Sequence, residues 1–463
     1  MTQSSLLPFP CDRLPDDPRV AKLLGVYPQR QEGRFMQRVK IPGGRLSPAQ
    51  WRALAAIARD LTPGAPLHLT TRQDVELHDL TAEQAPVAQH RLADAGLTSV
   101  GGGGDTLRNI TVCPCSGARA GTVDLLPLAL EIQRTLWDYE RIFELPRKFK
   151  ISFSACGAGC GQPWINDLGL VASQRGGRWG FQVIAAGSLG PKPATGLLAF
   201  EWIDADEIAP LALAAIRLFD RLGDRANRST ARLRHVRQRV GDEQFVSLLR
   251  AETAAAQLER NWPSVVLPAA TGELSATIRL TFPDGDLGPD AADALGELAG
   301  RPGLAVRITN EHQVAVLGGS EEDLRQAVAV LPSLRAAAQP QPCVVACPGS
   351  RWCKRALVNT RRAAERIRCQ LAGRLPSGQT VRVSGCPNGC AQSGVATIGL
   401  VGKQTGPADQ REEAFALLTD GDAGRGPRLA QPVQSAVKAD AIAEQLAALL
   451  SNATGGPSTE PRT

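Results

Sequence analysis

At 463 residues the chain exceeds what one hydrophobic core supports, so roughly two to four packed units are expected. It is ordinary globular material, 43% apolar and 21% charged, with no apolar run long enough to span a bilayer, and its opening MTQSSLLPFPCDRLPDD lacks the basic-then-apolar order of a secretory signal. A net charge of +6 without a basic stripe interleaved with aromatics argues against nucleic acid, and eleven cysteines grouped in Pro and Gly loops favour metal ligation in a reducing cytoplasm over disulfides.

In chain order, FMQRVKIPGGRLSPAQWRALAAIARDL from Phe35 predicts a strand, a Pro–Gly–Gly turn and a helix capped at Ser47, with Trp51, Leu54, Ile57 and Leu61 as core positions. A strand or bent hairpin follows over 67–80. The same succession returns near Leu274, roughly 240 residues on, as LSATIRLTFPDGDLGPDAADALGELAG and LAVRITNEHQVAVLGG. Between the copies, Trp202 to Gly223 predicts an Ala/Leu helix and Thr230 to Leu258 a second helical stretch, whose RSTARLRHVRQR run is expected to be a solvated face. The Gly, Pro, Ser and Thr of the tail have nothing to bury and predict disorder over 451–463.

The repetition extends to the cysteines. RNITVCPCSG (108–117) parallels PCVVACPGSRWC, and FKISFSACGAGCGQPWINDLGLVA (149–172) parallels VRVSGCPNGCAQSGVATIGLVG, which sets Cys113 against Cys347, Cys156 against Cys386 and Cys160 against Cys390. Arg119 faces Cys353, so the second copy carries four ligand positions and the first only three of them. Four thiols in two short loops suit an iron–sulfur cluster or tetrahedral zinc. Five residues between Cys347 and Cys353 are too many for a zinc knuckle, so the frame points to a [4Fe–4S] cluster. A helix directly after Cys353, with Ala356, Leu357, Ala364, Ile367 and Leu371 on one face, would present its N-terminal N–H groups to such an anion. CPNGC is a tight turn that can point further N–H groups inward.

The first copy holds a cationic set instead: Arg38, Arg72, Arg108, Arg147, Lys148 and Lys150. Lys148 and Lys150, two apart in an expected strand, face one side.

Taken together, YPQRQEGRFMQRVKIPGG, TTRQ, LRNIT, LPRKFK, INDLG, CPGSRWC and CPNGC, in this order and within a duplication, resemble the sirohaem-containing assimilatory sulfite and nitrite reductases. The resemblance implies an α/β (α+β) fold, duplicated about a pseudo-twofold axis, with three domains. Residues 1–107 and 271–341 would be the two ferredoxin-like half-domains, pairing into one; 108–270 would form the sirohaem and substrate-side domain and 342–450 the cluster domain. It further implies that Cys347, Cys353, Cys386 and Cys390 ligate a [4Fe–4S] cluster, that Cys390 also bridges to sirohaem iron, and that Arg38, Arg108, Lys148 and Lys150 bind the substrate anion. Arg72, Gln73 and Asn388 would help hold the cofactors. The implied reaction is six-electron reduction of sulfite to sulfide, favoured by Lys150 at the end of PRKFK, with reduction of nitrite to ammonia as the alternative. No GxGxxG fingerprint is present, so electrons are expected from an acidic ferredoxin.

Two other readings share the frame: a corrin-hydroxylating enzyme of the precorrin-3B synthase type, which generally lacks the lysine pair and CPNGC, and a non-catalytic electron-transfer paralogue, in which the basic quartet would have decayed. With Arg119 at the fourth position, Cys113, Cys115, Cys156 and Cys160 are expected to be a relict and not a second cluster.

Overall fold

The structure is a computed structural model that describes residues 9–376, 378–424, 426 and 428–454. The chain divides into two compact units, Met1–Gln339 with Ala423–Arg428, and Pro340–Asp422 with Leu429–Thr463. The first unit contains two large hydrophobic cores and the second one.

The first core joins the two Pro–Gly modules. Helix Pro48–Leu61 starts where Ser47 and Gln50 form a reciprocal capping box with Pro48 in the first turn; Trp51, Leu54 and Ile57 are buried, whereas Leu61 is only partly so. Its counterpart is helix Pro289–Ala299, and Leu295, Leu298, Ile308 and Val316 of the second module share one core with Trp51 and Leu54 of the first. The 67–80 segment is a hairpin of Leu67–Leu69 and Val75–Leu80. Its short strand also pairs antiparallel with Asp286–Leu287, which stitches the modules into a five-stranded sheet. At the turn Pro42–Gly44 a Cβ on Gly44 would lie 2.4 Å from the Ile308 carbonyl, so only glycine permits this approach of the second module.

The other two cores repeat one architecture. In the first unit strands Thr111–Val112, Ile151–Ser154, Leu168–Arg175, Arg178–Ala185 and Leu197–Asp204 lie side by side in chain order, the first three parallel and the last three antiparallel. In the second unit Val344–Ala346, Val381–Ser384, Ile398–Thr405, Glu412–Thr419 and Gln431–Lys438 have the same order and sense. Identical topology in both copies is what a duplicated module predicts.

Five local expectations change. Trp202 belongs to a strand and the helix begins at Ile208, because Pro210 fits only the first turn of a helix. The 230–258 stretch breaks into helices Leu233–Val240 and Asp242–Leu258 at Gly241, whose φ of 88° ends the first. The arginine run is not all solvated: Arg232 and Arg234 are 7% and 5% exposed, since buried Asp167 takes an ion pair from Arg232 at 2.7 Å. The helix after Cys353 begins only at Thr360, where Asn359 caps it by accepting from the Arg362 N–H. The intervening residues turn instead, with Ala356 N–H donating to the Cys353 carbonyl and Leu357 N–H to Gly385, and Leu357 is exposed. At the C-terminus helix Ile442–Thr454 covers the start of the expected tail, and 455–463 lie outside the described residues.

Candidate active site and cluster site

In the first unit the loop after Ser99 is four consecutive glycines, 101–104. The Gly102 carbonyl accepts from Arg38 Nη1 at 2.9 Å and from Arg108 Nη1 at 2.7 Å, and Arg108 Nη2 donates to the Gly104 carbonyl at 2.9 Å. One loop therefore aligns two guanidiniums that would otherwise repel each other. A Cβ on Gly103 would meet the Lys22 carbonyl at 2.2 Å and the Tyr27 hydroxyl at 2.4 Å, so the loop packs too tightly for any side chain there. Tyr27 lies against Arg38, 5.3 Å from ring centre to guanidinium. Burial opposes ionisation of its hydroxyl, but Arg108 and Arg38 outweigh it and lower the pKa.

Arg38 is also gripped by Glu76, whose Oε1 accepts from Nε at 2.9 Å and Nη2 at 2.6 Å. Burial disfavours the Glu76 carboxylate, yet Arg38 overrides this and holds its pKa well below the usual range. From Glu76 the contacts continue through His78, 3.3 Å away, to His68, which lies 2.8 Å from Asp286 of the second module.

Lys148 and Lys150 precede strand Ile151–Ser154 and do not lie within it as expected. They flank Phe149, which is fully buried and bridges in parallel to Leu107, while both lysines are half-buried. The Phe149 carbonyl accepts the Arg108 N–H at 2.9 Å, which places Arg108 between the lysines in the backbone register. Asp167 of the INDLG motif accepts the Lys150 N–H at 2.9 Å as well as Arg232. Burial, Arg72, Lys148 and Arg232 push the Lys150 ammonium far below its ordinary pKa. Arg147 is occupied elsewhere, with Asp105 at 3.0 Å.

Arg72 donates to the Asn166 side chain at 2.6 Å and to the Asn109 carbonyl, but its Nε, like that of Arg108, is buried without a hydrogen-bond partner among the described residues. Burial and the surrounding cations bring Arg72 down to about 10. Gln73 is fully buried, and its amide is spent on protein: Nε2 donates to the carbonyls of Val112 at 2.8 Å and Ile308 at 2.9 Å, and Oε1 accepts the Val112 N–H. It ties both modules to the neighbouring sheet.

In the second unit Cys347 follows its strand with Sγ accepting the Gly385 N–H at 3.1 Å. A short helix, Gly349–Trp352, delivers Cys353. The CPNGC turn closes with Gly389 N–H on the Cys386 carbonyl at 3.3 Å and Gly389 in the left-handed region, and the Asn388 N–H points at the Cys386 thiol. Burial, then Cys390, raises Cys347 to about 12, and burial raises Cys386 as well, with Cys390 and Cys353 close enough to add to it. Four thiols in mutual electrostatic reach with inward N–H groups are the donor set a cubane cluster requires. Among the described residues no three Cys, His, Asp or Glu side chains close into a ready coordination sphere in either unit.

Sequence similarity follows the same two sites. The nitrite and sulphite reductase 4Fe-4S domain matches residues 103–257 and 343–451, and the nitrite/sulfite reductase ferredoxin-like half domain matches residues 27–95. The chain belongs to the nitrite and sulphite reductase family. It is of the ferredoxin-dependent, sirohaem and [4Fe–4S] type. The chain is 31% identical to a ferredoxin–nitrite reductase of Synechococcus elongatus, covering 90% of this chain and 86% of the relative. It is 28% identical to a chloroplastic ferredoxin–nitrite reductase of Arabidopsis thaliana, covering 93% and 78%. The fold matches the Mycobacterium tuberculosis NirA protein with a TM-score of 0.83 at 23% identity, over 96% of this chain and 88% of that one.

The buried cations of the first unit have the charge that an anionic macrocycle of the kind the family carries would need. Burial, Arg108 and Arg232 destabilise the charge on Arg72, burial and Arg72 that on Lys150, and two guanidinium Nε atoms have no hydrogen-bond partner among the described residues, a deficit that carboxylates or an oxyanion would relieve. Sequence reasoning located the cations and missed what aims them: the glycine run, Glu76, Asn166, Asp167 and Arg232. Four successive glycines and the acid in INDLG were visible signals, whereas nothing local marks Glu76 or Arg232.

Proposed function

We propose that this reductase converts nitrite to ammonia with six electrons from an acidic ferredoxin, using Arg38, Arg108, Lys148 and Lys150 to bind and protonate the anion. The observation that carries the reading is the convergence of Arg38 and Arg108 on the Gly102 carbonyl, beside the half-buried lysine pair. Guanidiniums remain protonated throughout and hold an oxyanion as its negative charge grows. Lys150, its pKa depressed, can give up a proton when an oxygen leaves as water and regain one afterwards. Cys347, Cys353, Cys386 and Cys390 would hold the cluster, Cys390 the shared link, Arg72 and Asn388 the cofactor surroundings, and Gln73 would act through the backbone it ties down. Sirohaem coupled to a cluster supplies a centre that takes electrons singly and passes them to a bound ligand.

Nitrite is favoured over the sulfite expected from PRKFK. That expectation treated Lys150 as an extra fixed cation for a dianion, but burial and three neighbouring cations lower its pKa and make it better suited to give up a proton than to serve as a fixed charge. The curated relatives just described are also nitrite reductases by name. Sulfite remains the second reading because a lysine does stand at the position. Anaerobic steady-state kinetics of the holoenzyme with reduced viologen tests the choice. Wild type should show the higher kcat/KM for nitrite, and Lys150→Asn should lose sulfite activity more than nitrite activity. A strong wild-type preference for sulfite would reverse the substrate.

Exposed Arg351, Lys354 and Arg355 flank Cys353 and suit an acidic donor. No described helix is long and apolar enough to cross a membrane, and the thiol-rich sites support a reducing, cytoplasmic setting.

A further inference from the structure

Three of the chain's five histidines, His68, His78 and His312, are buried together where the two Pro–Gly modules meet. The strand register puts two of them in line with the substrate-side cations. In the five-stranded sheet Arg38 stands opposite Glu76, Glu76 opposite His68, and His68 opposite Asp286 of the second module. Directly opposed residues share a face, so these four side chains form one row across four strands. His78, two residues after Glu76 in the same strand, lies on that face as well. The alternate positions Val39, Leu67, Leu77 and Leu287 belong to the apolar core instead.

The row is joined side chain to side chain. Asp286 Oδ1 accepts from His68 Nδ1 at 2.8 Å, so that ring nitrogen carries a proton. The His68 ring meets His78 edge-on with 5.9 Å between centres, and His312 of the second module packs edge-on against His68 at 5.0 Å. His78 Nε2 lies 3.3 Å from Glu76 Oε2, while Glu76 Oε1 accepts from Arg38 Nε and Nη2. Glu76 therefore has one oxygen towards the histidines and one on the guanidinium. Burial opposes its charge, but Arg38 first, then His78 and His68, hold it ionised. The third guanidinium nitrogen, Nη1, is on the Gly102 carbonyl, so two of the three are aimed by this row.

Burying charged and polar side chains costs more than burying apolar ones of similar volume. What the row provides is orientation, because each member limits the rotation of the next and the last is the cation proposed to meet the anion.

We propose that His68, His78 and Asp286 are positioning residues for Arg38, so that the second module sets the affinity for the substrate anion through Glu76. The inference rests on the role proposed above for Arg38 at the substrate, and it holds for whichever oxyanion the enzyme prefers.

The holoenzyme is to be assayed without oxygen, with reduced viologen and with nitrite and sulfite in turn, as wild type, Asp286→Asn, His68→Leu, Arg38→Ala and the two double variants that add Arg38→Ala to a seam change. KM and kcat come from turnover, and Kd from the change the anion makes in the sirohaem spectrum, which stays measurable in a slow variant. Asp286→Asn removes a charge at nearly constant shape, and His68→Leu removes the hydrogen bond and the imidazole. Each should raise KM and Kd for the preferred anion roughly five-fold and leave kcat within about twofold, a size typical of coupling inside one side-chain network. In the Arg38→Ala background neither change should move Kd further, because the residue it acts through is gone. Unchanged KM and Kd in Asp286→Asn, a loss confined to kcat, or effects that add to that of Arg38→Ala overturns the positioning role. Should His68→Leu fail to fold, the Asp286→Asn pair decides alone. An Arg38→Ala enzyme with wild-type kcat/KM and Kd removes Arg38 from the substrate site and this inference with it, whereas an impaired Arg38→Ala beside silent or additive seam variants rejects the inference alone.

Discussion

The two copies of the sheet module share strand order, parallel and antiparallel senses, and the turn that carries the second cysteine pair. They differ in what the loop before the second strand delivers. In the second unit a four-residue helix delivers Cys353; in the first, Arg119 stands at that position in the repeat, and Phe149, between the lysine pair, accepts the Arg108 N–H. On the proposed assignment, a duplicated scaffold keeps one anion-favouring turn twice and specialises one copy for electrons and the other for oxyanions. The specialisation lies in side chains on short loops, where substitutions cost little core packing.

The largest expected effect breaks the electron side. Cys390→Ser should remove or uncouple the sirohaem and abolish reduction, whereas Cys113→Ser, at the equivalent place of Cys347, should retain the sirohaem spectrum. Optical spectra with iron and sulfide analysis decide it, and full activity in Cys390→Ser would refute the division of labour.

On the anion side, Arg108→Ala deletes one fixed donor to a developing negative charge, worth about 3 kcal/mol, or roughly a hundredfold in rate. The cluster spectrum should stay intact. An unchanged turnover would place Arg108 outside the chemistry.

Glu76→Gln sharpens the comparison, because the second unit aims its ligands by backbone N–H groups while the first aims Arg38 by a buried carboxylate. Removing one partner of such a pair should cost about 3 kcal/mol of stability at neutral pH. Since the folded pKa of Glu76 is depressed, its contribution is full above the unfolded value of about 4.3 and is lost as pH falls through the folded value. The gap between wild-type and variant denaturation midpoints should therefore narrow below about pH 4. A gap that widens on acidification would contradict the pairing.

The smallest effect concerns Arg351, Lys354 and Arg355. Ferredoxin-dependent turnover should fall a few-fold as ionic strength rises and the screening length shrinks from about 10 Å at 0.1 M to about 3 Å at 1 M, while dye-dependent turnover stays level. Equal salt profiles for both donors would reject electrostatic docking.

Local chemistry made the strands, the capped helix at Ser47, the duplication and the four-cysteine frame legible, because periodicity, caps and cysteine spacing are written within a few residues. The partners that aim the cations were not. Glu76 reads as one charged residue of a strand and Arg232 as one of a solvated run, yet each is buried on its counter-ion, 38 and 65 residues away in sequence. The sequence by itself determined the family, the duplicated α/β architecture and the inventory of thiols and cations. Tertiary structure decided which charges are compensated and which are not, since burial and long-range pairing depend on contacts between segments that no local pattern records.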